Sequence, residues 1–263
     1  MNMTSSITHP PFIKSAPKSN HFLIPSLPFS VWDGDILVWA SDERHAQKLT
    51  RAKREKMANE AFIMNGKEYT VVCEEHQSTH AALLAHMIQT SVAGEKDKNA
   101  LPFLSIYHLC KEFFTNELTT RFSYSETNLT TWTHLERGIP FMFALLMTVY
   151  PILCKDPAAA IDLHFESKRD ASCVTITPHS EVDLAKDVLQ NGFIGALLSA
   201  TLENSDFSIT EEQADGSARI LLSAKHISKI IESSTFNANS EFEIHCVFAL
   251  FLSLCAQYEE SCQ

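Results

Sequence analysis

Residues 139–178 read IPFMFALLMTVYPILCKDPAAAIDLHFESKRDASCVTITP, and this stretch decides the fold class. Its first part, 139–154, is an apolar segment long enough for a buried helix. Two short strands follow, at 160–166 and 172–177, and the polar residues 168–170 form the turn between them. The stretch therefore predicts a long core helix that leads directly into a β-hairpin.

The same order recurs in the next part of the chain. A helix is predicted at 181–202, a strand at 207–212 and a second strand at 218–224, with the turn dipeptide Asp215–Gly216 between the two strands. Helix, hairpin, helix and hairpin in succession are typical of an α+β architecture in which helices cover a sheet. We therefore predict a small α/β sandwich over residues 136–225.

The residues upstream predict a small α/β segment and a helical hairpin. Hairpin signals stand at Asp33–Gly34 and at Asn65–Gly66, where each dipeptide separates two apolar runs. Between them, Ser41 is the predicted N-cap of a helix that extends to about residue 59. Three further helices are predicted, at 78–92, 101–121 and 240–258. The predicted segments are a flexible N-terminal segment (1–27), a small N-terminal α/β segment (28–76), a helical hairpin with a linker (77–135), the α/β sandwich (136–225) and a C-terminal helical segment (226–263).

Composition excludes several classes of function. The net charge of −11 argues against nucleic acid as a ligand, because phosphate binding needs a broad basic face. The seven cysteines are scattered and form no Cys-x-x-Cys pair, a pattern that indicates reduced thiols in a reducing compartment. The N-terminus lacks the pattern of a signal peptide, and Pro140 and Pro151 interrupt the longest apolar run, so no membrane span is expected. We therefore expect a cytoplasmic protein.

The order of elements in 136–225 resembles the ATP-binding domain of bacterial histidine kinases, in which helices cover one face of a sheet. The segment Gly192-Phe193-Ile194-Gly195-Ala196-Leu197 resembles the glycine pair beside the kinase ATP lid, and residues 215–222 resemble the closing hairpin. In the kinases, the helix corresponding to 139–154 carries a magnesium-binding Asn on a Glu-x-x-x-Asn frame, but this helix has neither residue. The kinase motif Asp-x-Gly-x-Gly corresponds to residues 177–183, which contain no glycine. The resemblance therefore implies a degenerate ATPase domain without ATP or another cofactor.

One branch of that family consists of histidine phosphotransferases that derive from sensor kinases and pass phosphate between response regulators. Its members form dimers through a two-helix hairpin and carry the phosphoacceptor in a Leu-x-His-[Asp/Glu]-Leu setting. The segment Leu84-Ala85-His86-Met87-Ile88 resembles this setting, and it departs from it at Met87, where an acid would orient the imidazole. The resemblance implies that His86 is the catalytic phosphoacceptor, that the partner is a response regulator and that the chain forms a homodimer.

The position of His86 on its helix agrees with this role. When His80 is taken as the origin, the apolar stripe of helix 78–92 is centred on His80, and His86 lies about 240° away. We therefore expect His80 to be buried and His86 to be exposed, as a nucleophile that meets a partner must be. A plain surface histidine is the alternative for His86.

A metal site is the weaker interpretation of the neighbouring residues. Cys73, His76 and His80 have spacings that a zinc ion uses, but no fourth ligand is evident, and a histidine at a helix start often caps or packs. The sequence therefore predicts no bound metal.

A basic run at 44–56 offers a docking surface in an otherwise acidic chain. Arg44, Lys48, Arg51 and Arg54 are the residues expected to bind an acidic protein partner such as a response regulator. A solvated helix face with internal ion pairs is the alternative.

The apolar helices 101–121 and 240–258 leave a second function open. Their wide apolar surfaces indicate either an oligomer interface or packing within one subunit. A regulator-binding or phosphotransfer protein without ATP-dependent kinase activity is the leading hypothesis. The alternative is a non-catalytic adaptor or chaperone that binds a protein through its apolar helices.

Overall fold

Two main sheets and a set of helices make up the described part of the chain. The computed structural model describes residues 28–73, 79–94, 99–117, 122–130, 132–156, 158–214, 217–226 and 238–261. The predictions for residues 1–27, for His76 and for the Asp215–Gly216 turn lie outside these residues. The mixed α+β class predicted from the sequence is confirmed.

The strands form a four-stranded sheet, a five-stranded sheet and a two-stranded pair, and the helices pack around them. The strands of the described residues are, in chain order, β1 (Ser30–Asp33), β2 (Ile36–Ala40), β3 (Ala58–Met64), β4 (Lys67–Cys73), β5 (Leu101–Pro102), β6 (Phe122–Thr127), β7 (His134–Leu135), β8 (Ile161–Ser167), β9 (Ala171–Pro178), β10 (Phe207–Ala214) and β11 (Ser217–Lys225). The helices are α1 (Glu43–Ala46), α2 (Arg51–Arg54), α3 (Thr79–Ala93), α4 (Phe103–Glu117), α5 (Gly138–Lys155), α6 (Gly192–Glu203) and α7 (Ala238–Ser261), with a π-helix (Leu184–Leu189) before α6. The small sheet has the order β2-β1-β4-β3, the large sheet has the order β10-β11-β9-β8-β6, and β5 pairs with β7.

Both hairpins predicted for the small sheet are confirmed. β1 pairs antiparallel with β2, and β3 pairs antiparallel with β4. Asn65 and Gly66 have φ angles of 52° and 73°, the left-handed conformation that a two-residue hairpin turn requires. One face of this sheet packs Val31 and Val71 against the main core, and the other face packs Trp32 against α1.

The single helix predicted from Ser41 to residue 59 is wrong. The chain forms two four-residue helices instead, because Thr50 is extended between them and residues from Ala58 onward pair with β4. The N-cap is Asp42, whose carboxylate accepts a hydrogen bond of 3.0 Å from the His45 N–H. The Ser41 hydroxyl accepts a hydrogen bond of 2.9 Å from the Phe29 N–H, so Ser41 closes the β1–β2 hairpin.

The large sheet contains the two predicted hairpins and one strand that the sequence analysis assigned to a linker. β9 pairs with both β8 and β11, and β10 pairs with β11, all antiparallel. β6 adds to β8 in parallel, with Phe122 beside Ile161. The sheet therefore extends beyond residues 136–225, while the proposed division of the chain into segments stays a prediction.

Helix α5 is the central core helix, as predicted. It is long and apolar enough to cross a membrane by length and composition, but 83% of it is buried inside the protein, and a core helix passes the same test. Pro140 lies in the first turn, where its missing N–H removes no helical hydrogen bond. Gly138 begins the helix where a Cβ would lie 2.5 Å from the Leu101 Cβ, so only a residue without a side chain fits.

The single helix predicted at 181–202 is wrong, because the chain breaks it into the π-helix and α6. Asp183 caps the π-helix by accepting a hydrogen bond of 2.9 Å from the Lys186 N–H. The break falls at Gly192, whose φ of 49° is left-handed and costs a glycine little. Strands β10 and β11 then complete the sheet as predicted.

Helices α3, α4 and α7 follow the predicted order and share one hydrophobic core. α3 packs chiefly on α7, α5 and the small sheet, whereas α4 packs on α5 and β6. The apolar sides of α4 and α7 meet within the chain, where the rings of Phe113 and Phe248 stack at 4.1 Å. Of the two interpretations left open for these helices, packing within one subunit is the one observed in the described residues.

Candidate functional site

His86 is partly buried on α3 and does not stand free in solvent as expected. Its ring centroid lies 5.5 Å from that of Phe29 and 6.2 Å from that of Trp39. Around the axis of α3 itself, His86 does lie about 240° from His80, as expected. Phe29, just before β1, and Trp39 of β2 nevertheless cover that side of the helix, and the loss of water around the imidazole lowers the pKa of His86.

The surroundings of His86 differ from the setting that the resemblance implied. Met87, at the position of the expected acid, is a buried core residue at 3% exposure. The ring of Trp39 connects His86 to Glu243 of α7, because the indole N–H donates a 3.2 Å hydrogen bond to that carboxylate. Burial raises the pKa of Glu243. His86 therefore lies in a mostly apolar pocket without a carboxylate in direct contact among the described residues.

His80 is buried at the centre of the α3 stripe, as predicted. Its exposure is 2%, and its backbone N–H donates a 3.0 Å hydrogen bond to the Glu60 carboxylate. The Nδ1 atom lies 3.0 Å from the Ser253 hydroxyl and 3.5 Å from the same carboxylate. Burial lowers the pKa of His80. A Ser–His–acid relay needs the hydroxyl and the acid on opposite ring nitrogens, whereas here both lie near Nδ1. The cluster therefore connects α3, α7 and β3 but does not form a catalytic relay.

A metal centre is not formed by the residues that the structure describes. Within these residues, no group of three or more His, Cys, Asp or Glu side chains could hold a metal ion. His76 lies outside them, so the Cys73, His76 and His80 combination is not tested.

The predicted basic docking residues separate into two environments. Arg44 and Lys48 are exposed, and the Arg51 side chain is 73% exposed and pairs with Glu55 at 3.1 Å. Arg54, in contrast, is only 11% exposed and stacks on the ring of Trp32 at 3.9 Å. Because the predicted long helix is absent, these four residues do not lie on a single helix face.

Arg54 is held by the β1–β2 turn. Its guanidinium donates a 2.8 Å hydrogen bond to the Gly34 carbonyl and a 2.7 Å hydrogen bond to the Asp35 carboxylate. Beside it, an open polar cleft of about 300 Å³ reaches Asn59 and Thr70. Arg54 therefore builds the wall of this cleft, while the exposed Arg51 lies at its rim, where it pairs with Glu55 and, at 3.7 Å, with Asp35.

The helix layer over the large sheet is closed by apolar side chains. The cavity between α3, α5, α6 and α7 measures only about 10 Å³, and its lining includes Leu84, Phe143, Ile194 and Phe251. A volume of this size holds about one water molecule, whereas small-molecule sites span roughly 300–1,000 Å³. The described helices therefore leave no nucleotide-sized cavity at this position.

The outer face of the large sheet carries polar clusters that the sequence analysis missed. Asp162 accepts hydrogen bonds from the Ser123 hydroxyl and, at 2.7 Å, from His179. Partial burial opposes ionisation of this carboxyl, but the two hydrogen bonds outweigh it and lower the pKa of Asp162. Ser125 and His164 form a second pair at 2.7 Å. The alternating polar residues of β8 were a usable signal, but its neighbour β6 was not recognised as a strand.

These clusters do not assemble a nucleophilic site. The carboxylate of Asp162 lies between the serine and the histidine, whereas a catalytic relay places the histidine in the middle. Both clusters lie on an open sheet surface. Their arrangement stabilises the pairing of β6 with β8 and the end of β9.

Acidification is expected to destabilise the protein through its buried histidines. Because the pKa values of His80 and His86 are lowered below the ordinary value of 6.5, the unfolded chain takes up these protons before the folded chain does. Their contribution to stability is therefore complete above pH 6.5 and is lost as the pH falls below it. Urea unfolding at pH 7.5, 6.5 and 5.5 measures this loss.

A leucine variant identifies the histidine responsible. We expect His80→Leu to reduce the fall in unfolding free energy between pH 7.5 and 5.5, whatever its effect on stability at pH 7.5. The control is His108→Leu, because His108 is exposed on α4. A pH dependence of His80→Leu equal to that of the unchanged protein contradicts this expectation.

Comparison with known proteins finds similarity to solved structures of histidine kinases. No family model matches the chain, and no curated protein matches it. The nucleotide-free catalytic domain of histidine kinase ThkA is 10% identical, with a TM-score of 0.39 over 48% of this chain and 94% of that domain. The blue-light activated histidine kinase of Erythrobacter litoralis is 8% identical, with a TM-score of 0.37 over 70% and 82% of the two chains. ThkA in complex with the response regulator TrrA is 9% identical, with a TM-score of 0.37 over 76% and 96%. Because these TM-scores are below 0.5, the similarities do not define the function of this chain.

Proposed function

We propose that this chain is a cytoplasmic signalling protein that binds a response regulator and has no ATP-dependent kinase activity. The single observation that carries the proposal is a group of exposed basic side chains, Arg44, Lys48 and Arg51, on a chain with a net charge of −11. Within the described part of the chain, Cys73, Cys110, Cys154, Cys173 and Cys246 form no disulfide, which agrees with a reducing compartment.

Charge complementarity supports an acidic partner at this surface. A receiver domain presents an acidic face around its phosphorylated aspartate, and opposite charges steer two proteins together and fix their orientation. Arg51 lies at the rim of the cleft next to Arg54, so a carboxylate of the partner can contact Arg51 without breaking the contacts between Arg54 and the β1–β2 turn. The docking residues of this proposal are therefore Arg44, Lys48 and Arg51, with Arg54 as the side chain that holds the surface in place.

Packing and sequence both support a function without ATP-dependent chemistry. The cavity of about 10 Å³ within the helix layer is lined by apolar side chains. Magnesium and phosphate need oxygen ligands and close approach of the backbone, and α5 offers neither an Asn nor a Glu. The large sheet and its helices act as a scaffold in this proposal.

Phosphotransfer through His86 is a second candidate, favoured by the lowered pKa of this residue. A neutral imidazole has the free nitrogen lone pair that attack on an aspartyl phosphate needs. In that step a nitrogen–phosphorus bond forms, the bond between phosphorus and the aspartyl oxygen breaks, and the carboxylate leaves with the electron pair. The rings of Phe29 and Trp39 must then move aside to admit the phosphoryl group.

The adaptor or chaperone alternative has less support. It requires exposed apolar helix surfaces, and Ile244, Val247 and Phe251 of α7 are buried in the core of the chain itself. Regulator binding therefore remains the better proposal.

Charge reversal tests the proposed docking surface. We expect the double variant Arg44→Glu and Arg51→Glu to weaken binding to purified receiver domains about tenfold or more, because two attractive contacts become repulsive. Titration calorimetry against a panel of receiver domains measures the affinity. The control is Lys225→Glu, since Lys225 is exposed at the end of β11, on the other sheet.

Two further measurements belong to the same experiment. Magnesium-ATP is titrated into the same protein, and no binding is expected. Transfer of labelled phosphate from a phosphorylated receiver domain to the chain, lost in His86→Ala, would identify the second candidate. Unchanged binding of receiver domains by the double variant, or tight binding of magnesium-ATP, would contradict the proposal.

A further inference from the structure

The open cleft beside Arg54 carries charges of both signs. Its lining contains two arginines, Arg51 and Arg54, and two acids, Asp35 and Glu55. Its volume of about 300 Å³ lies at the lower end of the range of small-molecule sites, which is roughly 300–1,000 Å³. Because positive and negative side chains are equal in number, the cleft favours neither a plain anion nor a plain cation.

Two of these charges are held by the fold, and the other two are open to solvent. Arg54 is 11% exposed, stacks on Trp32 at 3.9 Å and pairs with Asp35 at 2.7 Å. Arg51 and Glu55 pair with each other at 3.1 Å, and their side chains are 73% and 65% exposed. An exposed ion pair stabilises a protein little, so little stability is lost when a ligand contacts both partners. The Arg51–Glu55 pair is therefore the part of the cleft that a ligand can engage.

Both members of this pair keep groups that can bind a ligand. Their hydrogen bond joins the Nε–H of Arg51 to the Oε1 atom of Glu55. A guanidinium has five N–H donors, and a carboxylate has two oxygens that each accept hydrogen bonds. The Nη1 atom of Arg51 lies 3.7 Å from the Asp35 carboxylate, beyond the distance of a good hydrogen bond. A ligand can therefore contact the arginine and the glutamate while the pair stays closed.

The rest of the lining narrows the chemistry of this ligand. Asn59 and Thr70 add neutral polar groups, and Val72 is buried at 1% exposure. Trp32 is only 5% exposed and is covered by the Arg54 guanidinium, so it offers no ring face to a sugar or a nucleobase. The cleft therefore suits a small molecule that carries one positive and one negative group of its own.

We propose that this cleft binds a free α-amino acid with a small neutral side chain through Arg51 and Glu55. The carboxylate of the ligand accepts hydrogen bonds from the Arg51 guanidinium, and its ammonium group donates to the Glu55 carboxylate. An α-amino acid fits this pair because its two charged groups are attached to the same carbon atom and so lie side by side, as the two side chains do. The proposal does not depend on regulator binding or on His86.

Binding of free amino acids to the full chain tests the proposal. In NMR titrations of the ¹⁵N-labelled chain, at least one of L-alanine, L-serine and L-asparagine is expected to bind with a Kd of about 1 mM or lower. Propionate and propylamine carry one charge each, and 6-aminohexanoate carries both charges far apart. All three are expected to bind about tenfold more weakly or less. The proposal is overturned if none of the amino acids binds, or if one of these three compounds binds as tightly as they do.

Variants of the ion pair locate the binding to the cleft. Arg51→Gln and Glu55→Gln are each expected to weaken amino-acid binding about tenfold or more, because each removes one of the two charged contacts. The matched control is Lys53→Gln, since Lys53 is an exposed cation on the same helix α2 but does not line the cleft. All three positions are exposed, and circular dichroism verifies that the variants are folded. Unchanged binding by both cleft variants, or an equal loss in Lys53→Gln, overturns the proposal.

Discussion

Replacing Phe114 by Ala is expected to lower the free energy of unfolding by about 4 kcal/mol, the usual cost of truncating a large aromatic side chain in a core. Phe114 of α4 is fully buried, and its ring stacks on that of Phe122 at a centroid distance of 4.4 Å. This contact attaches the edge strand β6 to the helix layer. Urea unfolding followed by circular dichroism measures the loss.

The same experiment tests whether the two sheets unfold together. The main core extends from Val31 and Val71 of the small sheet to Val174 and Leu222 of the large sheet. Because Trp32 and Trp39 lie in the small sheet, tryptophan fluorescence reports chiefly on that part of the chain. We expect fluorescence and circular dichroism to show one common transition, shifted by Phe114→Ala in both signals. The control is Glu112→Ala, an exposed position on α4 that is expected to shift neither signal.

Two separate transitions would contradict this expectation. They would mean that residues 28–73 unfold independently of the large sheet, despite the continuous core. A Phe114→Ala effect limited to the circular dichroism signal would lead to the same conclusion.

Replacing Gly195 by Ala is expected to destabilise the protein by about 3 kcal/mol, because overpacking against rigid backbone cannot be relieved by a side-chain rotation. A Cβ at this position would lie 2.6 Å from the Val188 carbonyl oxygen and 2.7 Å from the Leu189 carbonyl oxygen. Both carbonyls belong to the π-helix, so α6 and the π-helix would have to separate. Urea unfolding of the variant measures the cost.

Gly192 provides the matched control on the same helix. Its φ of 49° is left-handed, but a Cβ there would meet no atom within 4 Å. We therefore expect Gly192→Ala to cost only about 1 kcal/mol, the strain of a left-handed backbone without a clash. Equal effects of the two alanine variants would show that close packing on the π-helix is not the reason for Gly195.

The glycine pair illustrates how far the resemblance to kinases extends in this chain. Gly192 and Gly195 were identified because they resemble the pair beside a nucleotide lid. In the structure, the left-handed turn and the contact with the π-helix account for both glycines without a ligand. The pair therefore supplies no independent support for nucleotide binding.

The sequence by itself determined the elements whose signals are local. Asn65–Gly66 predicted its hairpin because few other residues adopt two consecutive left-handed conformations. The apolar segment that became α5 predicted a core helix because a helix that is apolar on all sides must be buried. The burial of His80 followed from the apolar stripe of α3 in the same way.

Only the tertiary structure decided the features that depend on distant partners. Phe122 and its polar neighbours form a strand because β8 lies beside them. The helix predicted for the basic run after Ser41 ends before Ala58, because the residues from Ala58 onward pair with β4. His86 is not exposed as expected, because the rings of Phe29 and Trp39, which come from a distant part of the chain, cover it. Strand pairing and the burial of a helix face are non-local, so a pattern within one segment cannot specify which element will cover it.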